Sequence, residues 1–455
     1  MARVLIASAP EFDLGELIRT ALALDCEELD ESESLLAEDA QAPAQGASAM
    51  PLTAQGAGAV LPPAAHAGEE KLQSRKNLRR SSKRKREKAE QGRKVRPEAA
   101  LKYIPKAPIL ESVAEIVHLP VTSCGYQGLN EGKGHLEETY TVEELLKLGF
   151  TEIEWDGVTP QVIVAGQAEK FMIVMSGRPL DPTYQECQAR AAQKILQAGE
   201  AAGFLPEELD HPRASNSAAL NHGIFHGQGT PHPLNLSNGC RTQLLEELCS
   251  DPDVCRMAEF ADASFKTWSP EVYEEIQRKL EKLYARDPSL SKPFPFSVYP
   301  CTAFNFGPQV CCKGHRDSSN YAISWCAIQA LGQFNPRRGG HLVIKELKVF
   351  IQFPAGSTIL IPSALLTHGN TPVEDGEVRL SFTQFCPGGL IRWVDNNFQT
   401  QARMQQRLSK KAFLDKMKLK EMRWERGLEK IYMLDRLKNK YMPPEEVLVT
   451  APCAC

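Results

Sequence analysis

The sequence has no stretch of about twenty apolar residues, so no membrane-spanning helix is expected. It has no paired Cys-x-x-Cys motifs. Its 13 cysteines are irregularly spaced, which argues against a zinc ribbon. A chain of 455 residues with 42% apolar side chains can build a sizeable core and needs no disulfide framework. The cysteines are therefore expected to be reduced, in the cytosol or nucleus. The opening residues MARVLIASAPEFDLGE lack a long apolar run and lead into acidic sequence, so no secretory leader is expected.

Charge is abundant but unevenly placed. The formal net charge is −4. Residues 1–70 carry thirteen acidic and two basic side chains, residues 71–96 thirteen basic and two acidic, and residues 402–441 thirteen basic and five acidic. Basic blocks attract nucleic acid or import factors, and a solvated tail is the alternative. The run Ser82-Lys83-Arg84-Lys85-Arg86 reads as a nuclear-localisation signal, giving an expected nuclear location. Residues 41–68, rich in Ala, Pro and Gly, cannot bury enough surface to order themselves, and 1–100 is expected to be disordered.

Order is expected from about Ile104. Thr141–Leu148 has Thr followed three positions on by Glu, the pattern of a capped helix. Phe171–Ser176 has strand length, and Tyr184–Ala202 has helical spacing. Residues 203–240, rich in Gly, Pro, Asn and His, are expected to form an extended loop segment. Residues 241–289 return to helical periodicity, with Trp268, Val272, Ile276, Leu280 and Leu283 on one packing stripe. From Phe294 to Trp393, short β-rich runs alternate with turns: Ser297–Phe304, Asn320–Leu331, His341–Ile344, Lys348–Phe353, Thr358–Ile361 and Val378–Phe385. The fold class is therefore α+β, with an antiparallel sandwich or jelly roll flanked by helices. Residues 400–441 read as a long basic helix or helix pair, with Met404, Leu408, Phe413, Met417, Trp424, Leu428, Ile431 and Leu434 on the apolar face.

One constellation carries chemistry. In an extended segment residues i and i+2 point to the same side, so His315-Arg316-Asp317 presents an imidazole and a carboxylate together. His368 lies 51 residues beyond that Asp. Two imidazoles and one carboxylate occupy one face of an octahedron and leave three positions for a bidentate co-substrate and O2, as in non-haem Fe(II) oxygenases. Arg379 follows in Glu377-Val378-Arg379-Leu380-Ser381. An arginine deep in a strand needs an anionic partner, and the distal carboxylate of 2-oxoglutarate fits its planar fork, with Ser381 facing the same way. A structural ion pair is the alternative for Arg379.

The segments Phe304-Asn305-Phe306-Gly307-Pro308, Gly314-His315-Arg316-Asp317-Ser318-Ser319-Asn320, Gly339-Gly340-His341-Leu342, Ile361-Pro362-Ser363-Ala364, His368-Gly369-Asn370 and Arg379-Leu380-Ser381-Phe382 occur in an order that resembles the TET/JBP family, and within it the mushroom branch whose genes accompany transposons. The likeness covers about 200–393. It implies a double-stranded β-helix core, Fe(II), 2-oxoglutarate and O2, and oxidation of 5-methylcytosine in double-stranded DNA to hydroxymethyl, formyl and carboxyl forms. By motif it implies His315, Asp317 and His368 as iron ligands and Arg379 and Ser381 as the co-substrate clamp. It further implies His341 beside 2-oxoglutarate and Asn320 against a flipped base, where a turn cap is the alternative reading of Asn320. The implied organisation is a tail over 1–100, a dioxygenase domain over 101–398 with its β-helix core at about 294–393, and a basic helical extension over 399–455. A monomer is expected.

The sequence departs from the animal members in having no Cys-rich, zinc-bound DNA grip. DNA contacts are expected instead from Ser215–Gly229 and the basic C-terminal helix. There Gly227 and Gly229 allow close backbone approach, Gln228 can fill the gap left by an extruded base, and His226 lies alongside. Arg213 is a further candidate for binding co-substrate or phosphate. His222, His226 and His232 are read as loop histidines, with a second metal site as the alternative. Oxidation of N6-methyladenine or thymine, hydroxylation of a protein side chain, and a non-catalytic DNA-binding role remain the competing functions.

Overall fold

The computed structural model describes residues 3–6, 100, 102–130, 138–166, 169–210, 213–214 and 216–441. The acidic stretch beyond residue 6, the Ala/Pro/Gly-rich 41–68 and the basic 71–96 lie outside the described residues, as does Ser215.

Fourteen strands are described: β1 (Arg3–Ile6), β2 (Ile109–Ser112), β3 (Thr151–Ile153), β4 (Gln161–Ala165), β5 (Lys170–Gly177), β6 (Ala218–Phe225), β7 (Leu234–Asn235), β8 (Cys301–Phe306), β9 (Cys326–Gln333), β10 (Leu342–Ile344), β11 (Val349–Ile351), β12 (Thr358–Ile361), β13 (His368–Asn370) and β14 (Val378–Phe385). They form a ten-stranded sheet ordered β1-β2-β4-β5-β12-β9-β14-β8-β6-β7 and a four-stranded sheet ordered β13-β10-β11-β3. From β8 onward the chain passes back and forth between the two. Strands β8, β9, β12 and β14 lie in the large sheet and β10, β11 and β13 in the small one, while residue 315 bridges to β13. That winding is a double-stranded β-helix, and the fold is α+β.

Alternation along the strands sorts the side chains. On β14, Leu380 and Phe382 face outward. They join Phe304 and Phe306 of β8 and Leu331 of β9 in a core with Tyr184, Cys187, Ala191 and Ile195 of helix α1 (Pro182–Ala201) and with Val254, Met257 and Ala258 of helix α2 (Pro252–Trp268). Burying each of the large apolar side chains contributes roughly 1.5–3 kcal/mol. The intervening residues Arg379 and Ser381 face the interior of the roll. The register pairs Ser381 with Asn305 and Phe382 with Phe304.

Helix α3 (Pro270–Arg286) carries the expected stripe. Val272, Ile276, Leu280 and Leu283 are buried together with Trp268 at the end of α2. The helix Val142–Lys147 has the capping box read from its sequence, with both Thr141 and Glu144 engaged.

Three expectations are corrected. Residues 203–240 are not simply a loop: β6 runs through them and pairs antiparallel with β8 from Ala218 to Gly223, adding a strand beside the core. Arg3–Ile6, expected within a disordered tail, pairs in parallel with Ile109–Ser112. The C-terminal extension is four short helices rather than one long helix or a pair: Gln401–Arg407, Lys410–Glu421, Arg423–Glu429 and Leu434–Tyr441. Thr400 caps the first and the Ser409 hydroxyl accepts from Ala412 N at the second, so the chain turns where the pattern continued. Met404, Leu428, Ile431 and Leu434 are buried as expected. Part of the basic charge is engaged internally: Lys430 pairs with Glu275, and Arg436 with Glu271 at 2.6 Å.

Candidate metal centre

After β8 the chain doubles back beside β13. His315 and His368 form an antiparallel bridge, each backbone N–H donating to the other's carbonyl at 2.9 Å. Gly369 permits the approach, since a Cβ there would lie 2.7 Å from the Cys312 carbonyl oxygen. The bridge brings the two rings together, with centroids 4.5 Å apart. Two residues on, the Asp317 N–H donates to the Ser363 carbonyl at 2.9 Å, which turns its carboxylate toward both rings. Asp317 Oδ1 is 3.8 Å from His315 Nε2, and Oδ2 is 3.8 Å from His368 Nε2. The ligand atoms of the three residues all lie within 4.8 Å of one another.

The tautomers follow from hydrogen bonding. His315 Nδ1 is 2.8 Å from the Lys313 carbonyl, and His368 Nδ1 is 2.9 Å from the Leu366 carbonyl. A carbonyl oxygen only accepts, so each Nδ1 carries the proton and each Nε2 offers its lone pair. Burial, then the neighbouring His368, pushes His315 down to about 3, which keeps the ring neutral. Burial alone would raise the Asp317 carboxyl, but His315, His368, Arg213 and a hydrogen bond from Ser363 outweigh it and hold the group below the usual range. Two imidazoles and a carboxylate converge with ligating atoms inward. The arrangement is a candidate facial triad. The donor set suits a divalent transition metal, Fe(II) among them.

The triad shares the roll's interior with Arg379. That guanidinium is 3% exposed. Among the described residues no carboxylate lies within ion-pair distance of it; Nη1 donates to the Val310 carbonyl at 3.2 Å, and Nε has no partner. Gly340, at φ +73°, makes room: a Cβ there would sit 3.0 Å from Arg379 Cδ and 3.1 Å from Nε. Ser381 Oγ accepts from Asn305 Nδ2 at 2.8 Å, leaving its own proton to donate. His341 is fully buried next to Gly340, its Nδ1 3.0 Å from Thr371 Oγ1. Its Nε2 has no hydrogen-bond partner and faces Glu152 at 3.7 Å, and burial pushes the ring down to about 4. Strand β3 supplies Glu152 by pairing with β11. A buried cation without an anion, flanked by a free hydroxyl proton and an orphaned imidazole nitrogen, fits a dicarboxylate co-substrate.

Other expected residues lie further out. Arg213 Nη1 donates to Asp317 Oδ1 at 2.9 Å, placing it against the triad rather than against Arg379. The Asn320 side chain is buried and donates to Ser363 Oγ at 3.0 Å. His226 is buried edge-on to Trp393, at 4.7 Å between centroids, with Nδ1 3.1 Å from Thr230 Oγ1. It precedes a tight turn in which Gln228 is exposed at φ +49° and Gly229 has φ +73°. No hydrogen bond or ion pair joins the 226–229 segment to the triad among the described residues. There, too, no second cluster of metal-ligating side chains occurs. His222 lies on β6, opposite Thr302, which corrects its reading as a loop histidine, while His226 and His232 lie outside the strands.

Sequence reasoning missed Glu346. It is half-buried, its pKa raised by loss of solvent around the carboxylate, which accepts from Thr367 N at 2.8 and 3.0 Å and from Thr367 Oγ1 at 2.7 Å. It also attracts the charge of Arg316, the residue between the two HxD ligands. Nothing in the turn Lys345–Lys348 marks this from sequence. Ser363 and Asn305 stood inside recognised motifs, but without assigned roles.

The sequence matches no family model and no curated protein. Two of the solved structures that resemble parts of the chain are these. NgTET1 in complex with 5mC DNA aligns at 13% identity and a TM-score of 0.37, covering 53% of this chain and 83% of that one. The viral collagen prolyl hydroxylase of Paramecium bursaria Chlorella virus 1, in complex with 2OG, aligns at 13% identity and a TM-score of 0.21, covering 43% and 89%.

Proposed function

We propose that this protein is an Fe(II)- and 2-oxoglutarate-dependent dioxygenase that oxidises 5-methylcytosine in double-stranded DNA. The observation that carries the oxygenase reading is Arg379, buried in the same roll as the triad and without a counter-ion among the described residues. His315, Asp317 and His368 hold the metal through Nε2, a carboxylate oxygen and Nε2. Arg379 and Ser381 receive the far carboxylate of 2-oxoglutarate, with His341 beside them, and Arg213 steadies the metal-side carboxylate. Bound Fe(II), with O2 and 2-oxoglutarate, supplies an oxidant able to hydroxylate a methyl C–H bond while the co-substrate becomes succinate and CO2. The surrounding core excludes water from that chemistry.

The DNA reading rests on the order of motifs resembling the TET/JBP family, the mushroom branch included, and on the basic blocks. A methyl group in a duplex reaches a buried metal only if its base is extruded. Gln228, exposed at the tip of a turn and held at positive φ, is suited to occupy the vacated stack. The exposed lysines of 410–418 supply sequence-independent affinity that falls steeply with salt. The basic run 71–96 supports a nuclear location.

The test is incubation of the protein with Fe(II), 2-oxoglutarate and duplexes each carrying one modified base, with products read by mass spectrometry. Hydroxymethyl-, formyl- or carboxylcytosine from the methylcytosine duplex is expected. Succinate formed only with an N6-methyladenine or thymine duplex would replace the substrate, and succinate formed only with a peptide would remove DNA from the proposal.

A further inference from the structure

Asn370 lies two residues beyond His368 on β13 and is buried. Its carboxamide is engaged with backbone on both sides. Oδ1 accepts from Cys312 N at 2.8 Å, while Nδ2 donates to the Val310 carbonyl at 3.0 Å and to the Thr371 carbonyl at 2.9 Å. Carbonyls only accept and a backbone N–H only donates, so the amide fits in one orientation. The backbone of Asn370 reaches the same segment, its N–H donating to the Cys312 carbonyl at 3.0 Å. The Val310 carbonyl is a shared acceptor, because Arg379 Nη1 donates to it as well, at 3.2 Å. Val310 N in turn donates to the Arg379 carbonyl at 2.9 Å, and Arg379 N to the Pro308 carbonyl at 2.7 Å. One carbonyl oxygen therefore joins a side chain of β13, in the small sheet, to the guanidinium of β14, in the large one.

We infer that Asn370 is a positioning residue for the co-substrate: it fixes the Val310 carbonyl that aims the Arg379 guanidinium, and so sets the spacing between that guanidinium and the strand bearing His368. Arg379 Nε has no hydrogen-bond partner, so the aim of the guanidinium rests on the Val310 contact and on the room left by Gly340. The spacing matters because one dicarboxylate must reach both ends, its 2-oxo acid group at the metal and its far carboxylate at Arg379. Such fits lose rate or affinity steeply with small displacements. A neutral amide suits the place. It holds the carbonyl without setting an anion beside Arg379, where a carboxylate would compete with the co-substrate. The inference rests on the co-substrate reading of Arg379 above, and its test separates the two.

The experiment loads the full chain with Co(II), as an O2-inert probe, and titrates two ligands by calorimetry. One is 2-oxoglutarate. The other is 2-oxopentanoate, which has the same carbon chain with a methyl in place of the far carboxylate. Wild type should favour 2-oxoglutarate by at least about 100-fold, the scale of a charge-assisted contact to Arg379. Asn370→Ser removes the donor to Val310 without changing charge. It should reduce that preference by roughly 10-fold or more, with Co(II) and 2-oxopentanoate bound much as in wild type. A folded Asn370→Ser that keeps the full preference, or that loses affinity for both ligands alike, would overturn the inference. Should Asn370→Ser fail to melt cooperatively, Asn370→Asp keeps the outline and one acceptor. Its loss of preference should vanish in an Arg379→Met background; a loss that persists there would be plain charge repulsion and would overturn the inference, as would failure of both variants to fold. Wild type that binds Co(II) but does not prefer 2-oxoglutarate would overturn the co-substrate reading of Arg379, and the inference with it.

Discussion

His315 and His368 are joined backbone to backbone before any metal is involved, each donating its N–H to the other's carbonyl at 2.9 Å. The ligand geometry is thus part of the sheet pairing, and the protein meets a cation with its imidazoles already oriented. Replacing His368 by Ala removes a ligand without removing that backbone pairing. The expected result is a folded protein with at least about a 100-fold loss of Co(II) affinity and no succinate formation, since a triad reduced to two donors loses the chelating face. Titration calorimetry and succinate assays check this; wild-type metal affinity in His368→Ala would show that the three side chains are not the ligands.

Arg379 yields a prediction with opposite signs in two measurements. A buried guanidinium with no anionic partner, as Arg379 is among the described residues, destabilises the fold when no co-substrate is bound. Arg379→Met keeps much of the volume and removes the charge. Without 2-oxoglutarate the variant should melt higher than wild type, by an amount equivalent to about 1–4 kcal/mol. Its kcat/KM for 2-oxoglutarate should fall by at least about 100-fold, the scale of a charge-assisted bidentate contact. A lower melting temperature in the absence of co-substrate would mean that Arg379 is a structural residue.

Legibility in the sequence followed periodicity. Strand β12 is a short apolar run and β14 alternates, each between flanking turns, and Thr358–Ile361 and Val378–Phe385 were read with the bounds they have in the structure. Strand β6 was not, because its residues are rich in small and polar types; it is held by pairing with β8, a long-range cause invisible to local pattern. The triad was legible because i, i+2 geometry is local and imidazoles beside a carboxylate are chemically distinctive. Glu346 was not: an acidic residue in a hairpin turn looks solvated, and only the close return of Thr367 engages it. Asn320 was read as a base contact with a turn cap as the alternative; its backbone N–H donates to the Asp317 carbonyl and its amide to Ser363 Oγ, a pairing that a sequence motif does not disclose.

Glu346 offers a test of how far support for the triad extends. It grips Thr367, the residue before His368, and attracts Arg316, the residue between His315 and Asp317. One carboxylate therefore braces both halves of the site from the side away from the metal. Glu346→Gln retains the shape but removes the charge and one acceptor. A loss of about 1–3 kcal/mol in denaturant unfolding is expected, with a roughly 10-fold weaker Co(II) affinity. Destabilisation with unchanged metal affinity would confine the brace to the hairpin.

Glu275 ties the C-terminal extension to the body, and its ionisation sets a pH window. Its carboxylate lies 2.7 Å from Lys279, pairs with Lys430 of the extension and accepts from Tyr321 Oη at 3.1 Å. Burial alone would raise its pKa, but Lys279 and then Lys430 outweigh burial and bring it to about 2, from an ordinary value of 4.5. The folded-state pKa is depressed, so the unfolded chain binds the proton more readily and the stabilising contribution is greatest above pH 4.5. It is of the order of about 3 kcal/mol, and it disappears progressively as pH falls from 4.5 through about 2. Lys430 loses its partner over the same range, so the segment Arg423–Tyr441 should release before the β-helix unfolds. Limited proteolysis between neutral pH and pH 3, with an acid-tolerant protease, should show cleavage there rising as the pH drops. In Glu275→Gln the segment should be cleaved readily at every pH, because the ion pair is gone throughout. A wild-type cleavage rate independent of pH, or a Glu275→Gln profile that still steepens with acid, would assign the docking of the extension to its buried Leu428, Ile431 and Leu434 alone.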